Sequence, residues 1–224
     1  MNLLRNTAIG LCVAGQLAAE PFTCADPMFE VDGGDVATQT RVCTAASDAR
    51  KSLKQCGVSL DRNIEIEIVK AFDAQYNACL GLYHCGEDRI EILAPAELSA
   101  ARDRDGPFEL ISDDAYWDSI LAHELTHAAY DTIECPFSNC IVTSEYASYA
   151  MQVFSMPEDQ RDLFGQTVTL RSKPSYDAIT EVMLFLAPGH FAKIAWLHFQ
   201  DREQPCGYMR MVMEGQIFFD REPL

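Results

Sequence analysis

The chain has 224 residues, of which 48% are hydrophobic and 23% are charged, a composition typical of a globular protein with one sizeable core. Its 34 acidic residues outnumber its 17 lysines and arginines and give a formal net charge of −17. A field of that sign repels phosphate backbones and anionic lipid headgroups, so composition argues against nucleic acid and membrane surfaces as partners.

The N-terminal residues 1–19 predict a secretory signal peptide. They hold a single charge, Arg5, followed by an apolar run that ends in two small residues at Ala19. That run is shorter than the roughly 20 apolar residues that a spanning helix needs. We therefore expect cleavage near Ala19, a secreted or periplasmic protein, and a single domain over residues 20–224.

The cysteines agree with export. Removing Cys12 with the signal leaves eight, an even number that predicts a disulfide framework in an oxidising compartment. Local spacing favours the pairs Cys79–Cys85 and Cys135–Cys140. The remaining four are expected to form two long-range links, in a pairing that the sequence leaves open: Cys24, Cys43, Cys56 and Cys206.

The first half of the chain predicts one helix and three strands after an irregular lead-in over residues 20–37. Helical spacing of small and apolar residues, strict alternation and a turn-rich hairpin indicate these elements in order: a helix over about 37–57, a strand over 63–69, and a hairpin of 80–84 and 89–93. The charged segment 102–107 is typical of a solvated loop.

The segment 115–130 carries a His-Glu-x-x-His pattern as His123, Glu124 and His127. Neither proline nor glycine interrupts it, and Ser112 provides an N-cap. Residues four apart share one face of a helix, so the two imidazoles can aim at one point, where neutral imidazole is a good zinc ligand. Glu124 lies beside the pair as a general base for water. The alternative is an amphipathic helix whose polar face matches the pattern by chance.

The second half predicts helices throughout. They are expected over about 143–154, from 156, over 175–187 and over 188–202, before a last apolar piece at 208–219. A catalytic zinc usually has three protein ligands and one open position. Glu145 is the first candidate for the third ligand, because a loop closed by Cys135–Cys140 returns its helix against the first. Asp131 and Glu134 are the next candidates, and Asp131 can instead orient a ligand histidine.

With these residues, the segment 115–152 resembles the gluzincin branch of the zincin metallopeptidases, which hold zinc with two histidines and a glutamate. The resemblance implies zinc on His123, His127 and Glu145, with Glu124 as the base. It also implies an α+β, zincin-like single domain: a small, mostly antiparallel sheet packed on the active-site helix, and a helical C-terminal half. An edge strand of that sheet, here 89–93, is expected to bind an extended peptide by strand addition.

The chain departs from the family beside the ligand glutamate, where Ser144 and Ser148 replace an asparagine and an aspartate. Ser148 is expected to replace only in part the carboxylate that orients a histidine. Candidates for stabilising an oxyanion, from which the sequence cannot choose, are Tyr146, Tyr149, His190 and Tyr208.

The sequence thus predicts a secreted zinc metallopeptidase whose substrate is a peptide or protein. Two other functions remain open at this stage. One is a non-catalytic secreted zinc-binding or structural protein that keeps a zincin-like fold. The other is a zinc hydrolase that acts on a non-peptide amide.

Overall fold

The computed structural model describes residues 21–76, 79–167, 169–170 and 173–221, so the expected signal peptide lies outside the described residues. Within them the fold is α+β, with eight α-helices and a five-stranded sheet. The elements follow one another as β1 (Phe22–Thr23), β2 (Phe29–Asp32), α1 (Val36–Gln55), β3 (Ile64–Val69), β4 (Gly81–His84), β5 (Arg89–Leu93), α2 (Pro95–Ala101), α3 (Asp113–Tyr130), α4 (Ile141–Ser155), α5 (Glu158–Gln166), α6 (Glu181–Leu186), α7 (Pro188–Gln200) and α8 (Pro205–Met213).

The sheet is mixed, with strand order β1-β2-β3-β5-β4, and the expectation of a mostly antiparallel sheet was wrong. β3 pairs in parallel with both β2 and β5, whereas the pairs β1–β2 and β4–β5 are antiparallel. The parallel pairing of β2 with β3 has a simple cause. Helix α1 connects β2 to β3 as a crossover, and a crossover returns the chain in the same direction.

The predicted hairpin is confirmed. The sequence suggested that its second strand, 89–93, forms the edge of the sheet, and this was wrong. β5 lies between β3 and β4, so residues 89–93 form an inner strand and β4 forms the edge of the sheet. In the pair Leu80–Leu93 the N–H of Leu93 donates to the carbonyl of Leu80 (3.0 Å). Hydrogen-bonded and non-bonded residues alternate along an antiparallel pair, so the backbone groups of Gly81 and Tyr83 face away from β5.

Helix α3 lies buried between the sheet and other helices. Ser112 caps it as predicted, since its side chain accepts from the N–H of Ala115 (3.2 Å). Trp117 is almost fully buried, and its indole N–H donates to the Leu93 carbonyl at the end of β5 (2.7 Å). On the other side Arg41 of α1 lies over the Trp117 ring and pairs with Asp118. These contacts fix the helix against β5 and α1.

The sequence suggested that the charged segment 102–107 is a solvated loop, but part of this segment is buried. Arg102 follows the short helix α2, which the sequence did not predict, and its side chain is buried. It pairs with Asp113 and donates to the carbonyls of Phe108 and Ile111. A buried guanidinium is tolerated here because these acceptors, including an acid in the first turn of α3, replace its water.

Three disulfides join the described residues. Cys135–Cys140 is confirmed, and the other two pairs are Cys24–Cys43 and Cys56–Cys206. The expected Cys79–Cys85 pair was wrong: both cysteines are free. Strand β4 runs between them, and its four residues at about 3.3 Å each hold the two ends further apart than the roughly 7 Å that a disulfide allows.

Among the described residues, no helix combines the length and the apolar character that a membrane crossing requires.

The disulfide pattern predicts a defined labelling experiment. Alkylation of the unfolded, unreduced protein at acidic pH, followed by peptide mapping, is expected to modify Cys79 and Cys85 and to leave the six paired cysteines unmodified. Recovery of a cross-linked peptide that contains both Cys79 and Cys85 would contradict the separation imposed by β4.

Candidate metal centre

Three side chains from two helices converge at one point. The Nε2 atoms of His123 and His127 lie 3.0 Å apart. Glu145, in the second turn of α4, places its Oε2 3.5 Å from the first of these nitrogens and its Oε1 3.6 Å from the second. These are the residues that the sequence proposed as ligands, and among the described residues they form the one group of three with metal-ligand chemistry.

The spacing of the three ligand atoms fits a zinc ion. Zinc bonds to imidazole nitrogen and carboxylate oxygen are each about 2.0–2.2 Å long, so neighbouring ligand atoms of a tetrahedral site lie about 3.4 Å apart. The two nitrogens lie 3.0 Å apart, each lies 3.5 or 3.6 Å from its nearer Glu145 oxygen, and one ligand atom from each residue lies within 4.8 Å of the others. Two histidines and a glutamate also form a recognised donor set for a catalytic zinc with an open fourth position.

The electrostatics of the group favour a bound cation. Burial lowers the pKa of His127 to about 4, with His123 acting in the same direction, so its imidazole is neutral. Burial also opposes the ionisation of Glu145, yet the two histidines lower its pKa to about 2 and keep it a carboxylate. Burial disfavours the charged form of His123, but the carboxylates of Glu145 and Glu124 raise its pKa overall. The Glu145 carboxylate therefore draws positive charge to this point.

The other nitrogen of each imidazole has a partner on α4. His127 Nδ1 lies 2.8 Å from the Ser144 hydroxyl, and His123 Nδ1 lies 3.1 Å from the Gln152 amide oxygen. Contacts with both ends of α4 show that the helices run antiparallel. Sequence reasoning missed Gln152, although one signal was present. It lies seven residues after Glu145, which places it on the same face of α4 two turns on.

Glu124 lies under the edge strand, beside the two imidazoles. Its Oε2 accepts a hydrogen bond from the backbone N–H of Tyr83 (2.9 Å). Burial raises its pKa to about 7, and this hydrogen bond opposes the shift. A methyl group at Gly81 would lie 2.7 Å from Glu124 Oε1 and 2.7 Å from Ile120 Cγ2. Only glycine lets β4 approach α3 this closely, a requirement that sequence reasoning did not identify.

A cleft of about 790 Å³ opens over His123, His127, Glu145 and Glu124. One wall is β4, and the opposite wall comes from α3, the turn after it and α4. The acids that line it are Glu124, Asp131 and Glu145, and no lysine or arginine among the described residues does so. The apolar and aromatic lining comprises Leu80, Leu82, Tyr83, Tyr116, Ile120, Tyr130, Ile133, Ile141, Tyr149 and Pro188.

The remaining sequence candidates occupy different places. Asp131 lines the cleft but accepts from the Tyr83 hydroxyl and the Gly86 N–H (both 2.9 Å), so it secures the hairpin and forms no hydrogen bond with His123 or His127. Ser148 is buried, and its hydroxyl has no partner among the described residues. His190 is exposed near the start of α7 and does not line the cleft. Glu134 is exposed as well.

Of the four candidate oxyanion donors, Tyr149 alone lines the cleft. Its ring packs edge-on against His123, with 4.6 Å between centroids. Burial raises the pKa of its hydroxyl, which therefore stays protonated and able to donate. The Tyr146 hydroxyl is instead 3.0 Å from His198 Nδ1 in the core, and Tyr208 packs on that same histidine.

The start of α4 is held by the C-terminal segment of the chain. Its N-cap residue, Cys140, makes no side-chain capping bond. Instead Asp220 accepts from the backbone N–H groups of Val142 (2.9 Å) and Thr143 (3.1 Å), and also from the Thr143 hydroxyl. A carboxylate is favoured at a helix N-terminus, where these N–H groups have no partner within the helix. Asp220 thus secures the turn that precedes Glu145.

If Glu124 acts as the base that the sequence predicts, replacing Gly81 with alanine is expected to lower hydrolysis by about a hundredfold without changing metal content, because a displacement of about 1 Å at such a base is costly and the new methyl group would overlap Glu124. The measurement is kcat/KM alongside metal analysis. Gly165→Ala is the matched control, since its added carbon meets no atom within 4 Å. Full activity in Gly81→Ala would show that Glu124 does not depend on this approach.

Comparison with known protein families gives a match over most of the chain. The model of a family of unknown function, DUF6639, matches residues 29–222, which include every residue of the site. Neither a curated protein nor a solved structure matches the chain.

Proposed function

We propose that this chain, which belongs to the DUF6639 family of unknown function, is an exported zinc-dependent metallopeptidase. The observation that carries the proposal is the convergence of His123, His127 and Glu145 within zinc-ligand spacing, with Glu124 beside them.

The cluster is more than a chance match of the sequence pattern. An amphipathic helix with an accidental pattern would present its two histidines to solvent. Here both Nε2 atoms and the Glu145 carboxylate face one another, and both Nδ1 atoms have hydrogen-bond partners on α4. Ligand histidines in metal sites are supported in this way on their second nitrogen. The same geometry supports a zincin-like arrangement of the gluzincin kind around α3, α4 and the edge strand.

Zinc held by His123, His127 and Glu145 would supply a Lewis acid that lowers the pKa of water towards 7 and polarises a carbonyl group. In the proposed reaction, the Glu124 carboxylate takes a proton from the water that attacks the peptide carbonyl. It then delivers the proton to the nitrogen of the leaving amine. Its buried position, with one oxygen fixed by the Tyr83 N–H, leaves the other oxygen for this transfer.

The cleft supplies what a peptide substrate needs. Gly81 offers a backbone N–H and C=O on the outer side of β4, where an extended segment can add as a further strand. The proposed peptide-binding strand is therefore β4, and not strand 89–93, which lies inside the sheet. Tyr149 is the proposed donor to the oxyanion, since it alone among the candidates combines a place in the cleft with a protonated hydroxyl.

Export is supported by the three disulfides, which form and persist in oxidising compartments. The sequence of residues 1–19 supports the same proposal.

The function is tested by metal analysis of the purified protein, and by mass spectrometry of a diverse peptide mixture incubated with it. We expect one zinc per chain, cleavage of peptide bonds, loss of cleavage with a chelator and recovery with added zinc. A protein that holds no zinc overturns the proposal. Bound zinc without cleavage would favour the non-catalytic zinc-binding function, and cleavage restricted to non-peptide amides would favour the other hydrolase.

A further inference from the structure

The side chain of Gln152 connects His123 to the first half of α3. Gln152 is buried (3% exposed) in the last turns of α4. Its amide oxygen lies 3.1 Å from His123 Nδ1, and its amide nitrogen donates to the Ser119 hydroxyl (3.2 Å). Ser119 in turn donates to the Tyr116 carbonyl (2.7 Å). The chain of hydrogen bonds therefore ends in the backbone of α3 itself.

The direction of every hydrogen bond in this chain is determined. A carbonyl oxygen only accepts, so the Ser119 hydroxyl must use its proton on Tyr116 and can only accept from Gln152. The amide nitrogen of Gln152 therefore faces Ser119 and its oxygen faces His123. Since an amide oxygen also only accepts, His123 carries a proton on Nδ1, so its neutral form has the lone pair on Nε2, the atom that faces His127 and Glu145.

We propose that Gln152 is the positioning residue for His123, and that it holds this ligand through a neutral amide rather than through a carboxylate. The inference rests on the proposed zinc site and deepens it. Ser148, the residue expected from the sequence in this place, makes no hydrogen bond to the histidine, because its hydroxyl has no partner among the described residues. Ser144 is the partner of His127 and is also neutral, so both imidazoles have uncharged partners and Glu145 is the one anionic ligand.

The neutral partner has a measurable consequence. A carboxylate hydrogen-bonded to a ligand histidine raises its basicity and strengthens its hold on the metal, and losing such an outer partner costs about tenfold to a hundredfold in affinity. Gln152→Glu puts a carboxylate of the same shape against His123 Nδ1, so we expect zinc to bind about tenfold to a hundredfold more tightly. Gln152→Leu removes the acceptor, so zinc should bind more weakly by a similar factor.

The test measures zinc affinity by competition with a chelator for the intact protein, Gln152→Glu, Gln152→Leu and Ser148→Ala. Ser148→Ala is the matched control, because it changes a buried polar residue on the same helix that has no partner among the described residues. A purely structural role for Gln152 would move both of its variants in the same direction, with parallel losses of melting temperature. Opposite shifts of the two Gln152 variants support the proposal, and unchanged affinity in Gln152→Leu overturns it.

A second measurement does not depend on zinc. In crystal structures of the metal-free proteins, the His123 ring is expected to keep its orientation in the unmodified chain and in Ser148→Ala, and to turn away in Gln152→Leu. If the His123 ring keeps its orientation in Gln152→Leu, the positioning role of Gln152 is wrong, whether or not zinc binds. Failure of the unmodified protein to bind zinc, with the ring turning as expected, would overturn the proposed function while leaving the positioning role intact.

Discussion

Glu124→Gln is expected to lower the kcat of peptide hydrolysis by at least about a hundredfold, while the protein keeps its zinc. General base catalysis typically contributes about 10²–10⁴-fold, and an amide cannot take a proton from water at neutral pH. Glu124 is not one of the three clustered ligands, and glutamine has the same shape and can still accept the Tyr83 N–H. The variant should therefore fold and bind zinc normally. Activity is measured as kcat, and zinc by metal analysis of the same sample.

Glu134→Gln is the matched control, because the same exchange is made at an exposed position outside the cleft. It should leave both readouts unchanged. Two results would count against the role of Glu124: a variant that remains active, or a variant that loses its zinc together with its activity. The second would mean that the residue holds the site together rather than acting on water.

The pH profile provides a further measure of the same residue. Burial raises the pKa of Glu124 to about 7 in the absence of a cation. A nearby cation favours the ionised carboxylate and lowers that value. Because the base must be ionised, activity should rise with pH through a limb at or below pH 7. The residual activity of Glu124→Gln should lack this limb, since glutamine does not titrate.

The sequence predicted those parts of the site that depend on residues close to one another in the chain. The helix that bears His123 and His127, its cap at Ser112 and the β4–β5 hairpin all depend on contacts within a few residues. Helical and strand periodicity carry that information directly. Glu145 was predictable for a related reason, because a disulfide between cysteines five positions apart leaves little freedom in how α4 returns against α3.

The strand order and the supporting contacts were not accessible in this way. Nothing in residues 80–93 says which strand of the hairpin pairs with β3, because both strands carry apolar residues, yet that choice decides which strand borders the cleft. Asp220 caps α4 although it lies 77 residues after Thr143 and 78 residues after Val142 in the chain. No local sequence pattern identifies a capping partner at that separation. Local sequence patterns therefore predict the proposed ligands, whereas tertiary packing determines which groups form hydrogen bonds with them.

The cysteines show a similar limit. Short spacing suggested that Cys79 pairs with Cys85, just as it suggested the confirmed pair Cys135–Cys140. The two segments differ in structure. A turn lies between the paired cysteines, whereas an extended strand lies between the free ones. Spacing along the chain therefore predicts a disulfide only when the intervening residues reverse direction.

Glu145→Ala is expected to lower zinc affinity by more than about a hundredfold, because it removes a direct ligand and loss of an outer partner alone costs up to that factor. The carboxylate is also the one negative charge among the three ligand atoms that converge. Its loss leaves two imidazoles with no anion between them to balance a divalent cation. Affinity is measured by chelator competition, and the zinc content of the protein as purified provides an independent check.

The specificity of that effect is tested against the other acids near the site. Asp131→Asn and Glu134→Ala remove the two rival third-ligand candidates, and both should retain zinc. Asp131 already accepts from Tyr83 and Gly86 at the hairpin, and Glu134 is exposed outside the cleft. Asp131→Asn should instead loosen the hairpin and reduce hydrolysis, since Tyr83 belongs to the strand that holds Glu124. If zinc remains in Glu145→Ala and leaves with either rival, the centre is not built from the three residues that converge here, and the peptidase proposal loses its foundation.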